Sequence, residues 1–167
     1  MRLTLLDVVV LLVAAQRLAE LLYAARNTRA LRLLGAHEVG AVQYPFFVVL
    51  QGAWLVAMLV FIPQAAPANW YLLGFYVALQ ACRVWVLRAL GPRWTTRIIV
   101  LPQAQLVRSG PYRFVRHPNY AIVALEVAIL PLAFGAVWLA AVFTVLNAVL
   151  LTWRIRVEEA ALAPTQR

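Results

Sequence analysis

Lysine does not occur in this sequence, cysteine occurs once, and 6 acidic residues face 15 basic ones, all arginine. Each scarcity excludes something. The single thiol, Cys82, rules out an intramolecular disulfide and a cysteine metal cluster, and its apolar setting predicts a buried, inert side chain. Charged residues make up 13% of the chain, about half of the roughly 25% carried by a soluble domain. So few charges cannot cover a water-soluble chain of this size. With 65% hydrophobic residues among 167, the natural solvent is a bilayer. The length leaves room for one compact bundle of helices and none for a separate soluble domain. Internal repeats and low-complexity tracts are also absent.

A net charge of +9 in a soluble protein would point to nucleic acid. In a chain this apolar it points instead to topology, because arginine gathers in cytoplasmic loops and on anionic headgroups.

Apolar runs give the framework. The first extends from about Leu3 to Ala25, the second from Tyr44 to Ile62, and the third from Trp70 to about Leu90, where Gly91-Pro92 stops it. Asp7, Arg17 and Glu20 interrupt the first run, which reads as a mature helix rather than a signal peptide. Two further runs, Tyr120–Phe134 and Ala136–Trp153, are hinged near Pro131 and Gly135. Each falls short of the ~20 residues of a full span, which predicts a tight helical hairpin, full-depth or partly re-entrant. The expected fold is an all-α polytopic membrane helical bundle with about five transmembrane segments, the last two a helical hairpin. One domain covers 1–167, with three transmembrane helices in 1–90 and a basic loop, the hairpin and a cytosolic tail in 91–167.

Charge sets the orientation. Arg26, Arg29 and Arg32 face only Glu38 in the segment 26–43, and Arg93, Arg97, Arg108, Arg113 and Arg116 face no acid in 91–118. The tail adds Arg154, Arg156 and Arg167, whereas the turn Pro63–Asn69 and the hinge near Gly135 carry no charge. Five crossings place every arginine-rich segment on one side, the cytosol, and the amino terminus outside.

Some polar residues lie where hydrocarbon is expected. Arg17 and Glu20 stand three apart on one helical face and can pair, for structure or for a ligand. Glu126 is costly at its depth unless it is functional or paired with Arg83 or Arg88 of the third run. Gln51, Gln80 and Asn147 read as interhelical hydrogen-bonding residues.

The stretch most informative for chemistry runs from Leu106 to Tyr120. Ser109-Gly110-Pro111 is a turn leading into a segment that projects Arg113, Arg116 and His117. Pro118 pushes His117 out of helical conformation, and Asn119 is a fair cap for the next helix. Basic side chains, an aromatic ring and free backbone donors thus converge at the membrane surface. That suits a ligand with an anionic group and an aromatic ring, and equally a loop that binds headgroups. In the tail, Arg154 and Glu158 stand one turn apart on one face, where a surface salt bridge is the simplest expectation.

Gly110-Pro111-Tyr112-Arg113 followed by Arg116-His117-Pro118-Asn119-Tyr120 resembles the signature of the isoprenylcysteine carboxyl methyltransferase family, as does Arg154-Ile155 followed by Glu158-Glu159 and Leu162. The resemblance covers the chain from about Gln103 onward. Gln16-Arg17 with Glu20-Leu21, Arg26-Asn27, Gly35 with Glu38, and Tyr44-Pro45 are similar to the short bacterial branch of that family, members of which methylate polyketide-derived pyrone or resorcinol lipids.

The resemblance implies a membrane-embedded S-adenosylmethionine-dependent methyltransferase without a Rossmann domain, and the sequence indeed has no Gly-rich loop after a strand. It further implies that Gln103, Leu106, Val107, Gly110, Tyr112, His117 and Tyr120 line a cytosol-facing cofactor pocket. Glu158 or Glu159 would complete it at the ribose or the amino group, and Arg154 would face the acceptor with Glu158 beside it. The implied partners are a lipophilic or prenylated acceptor entering from the bilayer and the surrounding lipids, with no metal and no nucleic acid. Many relatives carry glycine two residues after the motif tyrosine, where this chain has Ile122, which leaves the pocket shape there open. The competing expectations are a phospholipid amine N-methyltransferase, a membrane reductase of similar architecture, and a non-enzymatic membrane scaffold.

Overall fold

A computed structural model describes residues 3–102, 104, 105 and 107–163. Five helices run Leu5–Leu33 (α1), Tyr44–Phe61 (α2), Trp70–Leu90 (α3), Pro118–Ala133 (α4) and Val137–Leu162 (α5). Three of them, with their flanking turns, are long and apolar enough to cross a membrane: 41–61, 70–93 and 137–162. The protein is an all-α integral membrane bundle.

α1 begins at a capping box, in which Asp7 N–H donates to the Thr4 hydroxyl at 3.3 Å and Thr4 N–H to the Asp7 carboxylate at 2.9 Å. It runs well past Ala25, the end of its apolar run, because Arg26–Leu33 are helix-compatible residues with no glycine or proline before Gly35. Hydropathy marks where the membrane ends, whereas the backbone marks where the helix ends. α5 is likewise longer than its apolar run: 26 residues span about 39 Å, more than the ~30 Å hydrocarbon core. α4, with 16 residues and about 24 Å, is the shortest of the five and falls short of a full crossing. Asn69 caps α3 by accepting from the N–H groups of Tyr71 and Leu72 at 3.1 and 3.2 Å.

A two-stranded antiparallel sheet, absent from the sequence expectation, pairs His37–Val39 (β1) with Ile98–Val100 (β2), placing Glu38 opposite Ile99. It ties the α1–α2 connection to the α3–α4 connection, so the arginine-rich segments share one end of the bundle. At the other end Asn69 N–H donates to the Ala133 carbonyl at 2.7 Å, and the Gln64 side chain meets Thr4.

The distribution of polarity is inverted relative to a soluble bundle. Leu12, Leu22, Val49, Val60, Tyr71 and Val145 are exposed on the outer faces, whereas Arg83 is 5% and Glu126 0% exposed. Such a surface is stable in hydrocarbon, where apolar side chains face lipid and charges must pair inside. Cys82 is exposed on α3, not buried as its setting suggested, because it lies on a lipid-facing side of that helix. Two apolar clusters hold the interior: Leu6, Val10, Trp54, Met58, Val127 and Leu130 toward the uncharged end, and Ala24, Leu79, Val86, Trp94 and Ile122 toward the arginine-rich end. The buried charges lie between them.

Candidate active site

The loop leading to α4 is built on a glycine. Gly110 has φ +58°, and a Cβ there would stand 3.0 Å from Ala89 Cβ and 3.3 Å from Trp85 Nε1. Only glycine accepts both the left-handed conformation and the close approach to α3. The single 3-10 turn Gly110–Arg113 follows, closed by Tyr112 N–H donating to Ser109 O at 3.2 Å. It leaves Arg113 and Arg116 exposed and Tyr112 and His117 half-buried. Tyr112 packs against the cluster that contains Ile122. Burial first, and then the charge of Glu158, raise the Tyr112 phenol above its ordinary pKa, so it stays protonated.

His117 has φ −125° and ψ 62°, outside the helical region, as the following proline dictates. Asn119 is not the cap: Pro118 takes the first helical position and His117 the capping one, which puts Asn119 inside the first turn with its Oδ1 buried and unpartnered. The His117 ring stacks on Tyr120 at 5.3 Å between centroids, and His117 Nε2 stands 3.6 Å from Glu159 Oε1.

The tail closes on this helix start. Arg154 is 7% exposed. Its Nε donates to the Tyr120 hydroxyl at 2.8 Å and its Nη2 to the Thr96 carbonyl at 2.8 Å, while its guanidinium lies 5.2 Å from the Phe47 ring. The Tyr120 hydroxyl in turn donates to Glu158. The expected surface salt bridge between Arg154 and Glu158 is not formed among the described residues, because both side chains turn inward to share Tyr120. Gly40, with φ +65°, lets the tail approach: a Cβ there would sit 2.8 Å from Val157 Cγ1.

These groups line a cavity of about 1230 Å³ that runs from Arg93, Arg108, Arg116 and Glu159 past Arg154, Tyr120 and Glu158 to Arg17, Glu20 and Arg83. At its inner end Arg83 donates to Glu20 through Nε at 2.6 Å and Nη2 at 2.5 Å, and to Glu126 through Nη1 at 3.1 Å. Arg17 Nη2 donates to Glu126 at 2.5 Å, and Gln80 donates to the other Glu126 oxygen at 2.8 Å. Glu126 thus takes Arg83 as its partner, one of the two arginines its position suggested. The pairing of Arg17 with Glu20 is the loosest contact, at 3.7 Å.

Of the residues singled out in the sequence, Val107, Tyr112, His117, Tyr120, Arg154, Glu158 and Glu159 all line this one cavity. Gly110 shapes the turn behind it. Gln103 and Leu106 lie outside the described residues. Sequence reasoning missed the Thr96 carbonyl, Phe47, and Arg97, which donates to Glu38 at 2.6 Å and covers the Tyr44 ring at 4.0 Å. Glu38 and Tyr44 were visible as motif residues, but their partner lies dozens of residues away in sequence and carries no local signal.

The family profile described as isoprenylcysteine carboxyl methyltransferase (ICMT) family matches residues 72–164, which include both site motifs. The chain is 36% identical over 151 residues to the uncharacterized protein YpbQ of Bacillus subtilis, covering 88% of this chain and 90% of that one. It is 33% identical over 92 residues to an uncharacterized protein of Haemophilus influenzae, covering 54% of each. No solved structure matches.

Proposed function

Because this chain belongs to the isoprenylcysteine carboxyl methyltransferase family, a family of membrane methyltransferases, we propose that it is an S-adenosylmethionine-dependent O-methyltransferase acting on a lipophilic acceptor. One observation carries the proposal: the two separate motifs, in the α3–α4 loop and in the tail, meet at the Tyr120 hydroxyl inside one cavity.

The residues present suit the cofactor. S-adenosylmethionine joins a cationic sulfonium and ammonium to a carboxylate, a ribose and a flat base. The cavity offers Glu158 and Glu159 for the cationic and hydroxyl groups, Arg93, Arg108 and Arg116 for the carboxylate, and aromatic faces at Tyr112 and His117. At about 1230 Å³ it exceeds the ~300–1,000 Å³ of a single-ligand pocket, which leaves room for an acceptor as well. Val107, Tyr112, His117, Tyr120 and Glu159 form the cofactor side, and Gly110 shapes the turn behind them. When bound, S-adenosylmethionine supplies an electrophilic methyl group.

Arg154 serves the acceptor side, and Glu158, which shares the Tyr120 hydroxyl with it, stands where the acceptor side meets the cofactor side. Arg154 spends Nε on Tyr120 and Nη2 on Thr96, and among the described residues its Nη1 makes no hydrogen bond. Those free donors hold an acceptor oxygen and, by their fixed positive charge, favour its deprotonated form. The same charge repels a protonated amine, which favours O- over N-methylation. Glu158 holds Tyr120 in place, so Arg154 is steered by a hydrogen bond rather than by direct ion pairing. Positioning, rather than covalent catalysis, is what the site contributes. The acceptor enters between helices from the bilayer, and the cofactor enters from the cytosol, on whose side the arginine-rich end lies, in a bacterial plasma membrane.

Equilibrium binding with purified protein in detergent tests the site. Saturable S-adenosylmethionine binding is expected, and its loss in His117→Ala and Glu158→Ala. Undiminished binding in both variants overturns the assignment. Mass spectrometry of lipids from cells with and without the gene should show a product heavier by one methylene; new methylated ethanolamine lipids alone would overturn O-methylation.

A further inference from the structure

The inner end of the cavity is ill-suited to an alkyl or prenyl chain alone. Tyr120, Val123 and Glu126 succeed one another at three-residue steps along α4, and the first two line the cavity. At 1.5 Å per residue, the level of Glu126 lies about 9 Å farther along the helix than that of Tyr120. Between the two levels the walls are apolar: Leu21, Phe47, Val48 and Val123. At the inner level they change character to Arg17, Glu20, Gln51 and Arg83.

This charge cluster is balanced but not closed. Two guanidinium groups face two carboxylates, and Arg83 and Glu126 are fully engaged. Arg17 is not. Its Nη1 stands 3.7 Å from Glu20 and, among the described residues, makes no hydrogen bond. Its Nε and the Gln51 Oε1 are both without a partner. A network that served only to lock the helices together would leave few donors and acceptors unmet in hydrocarbon.

We propose that this end is a second recognition site for the acceptor. Besides the oxygen held by Arg154, the acceptor carries a second, uncharged oxygen, a hydroxyl or carbonyl, about 9 Å away, which accepts a hydrogen bond from Arg17. A hydroxyl also donates to Gln51. A carboxylate is disfavoured, because Glu20 and Glu126 already balance the two arginines. The acceptor is therefore a compact lipophilic molecule polar at both ends rather than a simple prenyl or alkyl tail. This inference rests on the O-methyltransferase proposal and names the class of its substrate.

The test uses 4,4′-dihydroxybiphenyl and 4-phenylphenol, which differ only in a hydroxyl at the far end. Their affinities are measured on the full chain in lipid nanodiscs, for the wild type, Arg17→Gln and Gly52→Leu. Gly52 lines the same cavity next to Gln51, and a Cβ there meets nothing within 4 Å, so leucine has open space to enter and no charge is removed. The wild type should bind the dihydroxy probe about tenfold or more tighter. Arg17→Gln should abolish that advantage while S-adenosylmethionine affinity stays unchanged, and Gly52→Leu should weaken both probes. Equal wild-type affinities, failure of either probe to bind, or an advantage that survives Arg17→Gln overturns the proposal. If Arg17→Gln does not fold, Gly52→Leu decides, and unchanged affinity for the dihydroxy probe overturns it. Absence of S-adenosylmethionine binding by the wild type counts instead against the methyltransferase proposal, since the probe affinities are read without the cofactor.

Discussion

Arg154 Nε donates a 2.8 Å hydrogen bond to the Tyr120 hydroxyl, across 34 residues of sequence. The contact joins the start of α4 to the tail of α5, and the same hydroxyl donates onward to Glu158. Tyr120 is thus the point where the two motifs become one site.

Tyr120→Phe removes that hydroxyl and leaves the ring. Hydrogen bonds to charged groups contribute about 1.5–3 kcal/mol, so methyl transfer should fall about ten- to a hundredfold. The thermal midpoint should change far less than the rate, and a matching collapse of stability would assign the hydroxyl to the fold instead. Single-turnover kinetics and a thermal melt on the same preparation separate the two.

Arg154→Gln should move the pH–rate profile. The guanidinium favours the deprotonated acceptor, so with a phenolic acceptor the rate reaches its plateau at lower pH in the wild type. Removing the charge raises the acceptor pKa, and the rising limb should shift to higher pH. An unshifted limb would mean that Arg154 does not face the acceptor.

Gly110→Ala places a side chain in the left-handed region against Ala89. The backbone term alone costs about 1–2 kcal/mol, and displacement of the turn should carry Tyr112 with it. Thermal unfolding in detergent should show the loss, together with weaker S-adenosylmethionine binding. Gly74→Ala, at a helical glycine with open space around it, is the control and should do neither.

Glu126→Leu leaves Arg17 and Arg83 with one carboxylate between them in the bundle interior. Removing one partner of a buried pair typically costs 3–5 kcal/mol, so the variant should unfold at a markedly lower temperature or fail to accumulate. Restoring stability should require neutralising an arginine as well, as in Glu126→Leu with Arg17→Leu. A double variant no more stable than the single one would contradict the pairing.

Much of this was legible along the chain. The apolar runs gave α2 and α3 closely, because a bilayer imposes length and composition on each helix separately. The glycine and proline around Ser109–Pro118 dictated the turn and the non-helical His117, because φ restrictions act within one or two residues. The arginine distribution placed the connections and tail at one end, and the sheet and the Arg154–Thr96 contact bring them together there. What the local rules missed is equally specific. Asn119 is a good cap by composition, but Pro118 occupies the first helical position and displaces it.

The sequence by itself determined the solvent, the bundle class, the positions of most helices and the two motifs that mark the family. These follow from hydropathy, backbone restriction and residue spacing, all of them local properties. Only the tertiary structure decided that Arg154 and Glu158 meet through Tyr120 rather than through each other, that Glu126 takes Arg17 and Arg83, and that one cavity links both sets. Long-range partners depend on which helix faces confront one another. In a low-dielectric interior each charge goes to whichever opposite charge the packing brings nearest, and spacing along the chain does not record that choice.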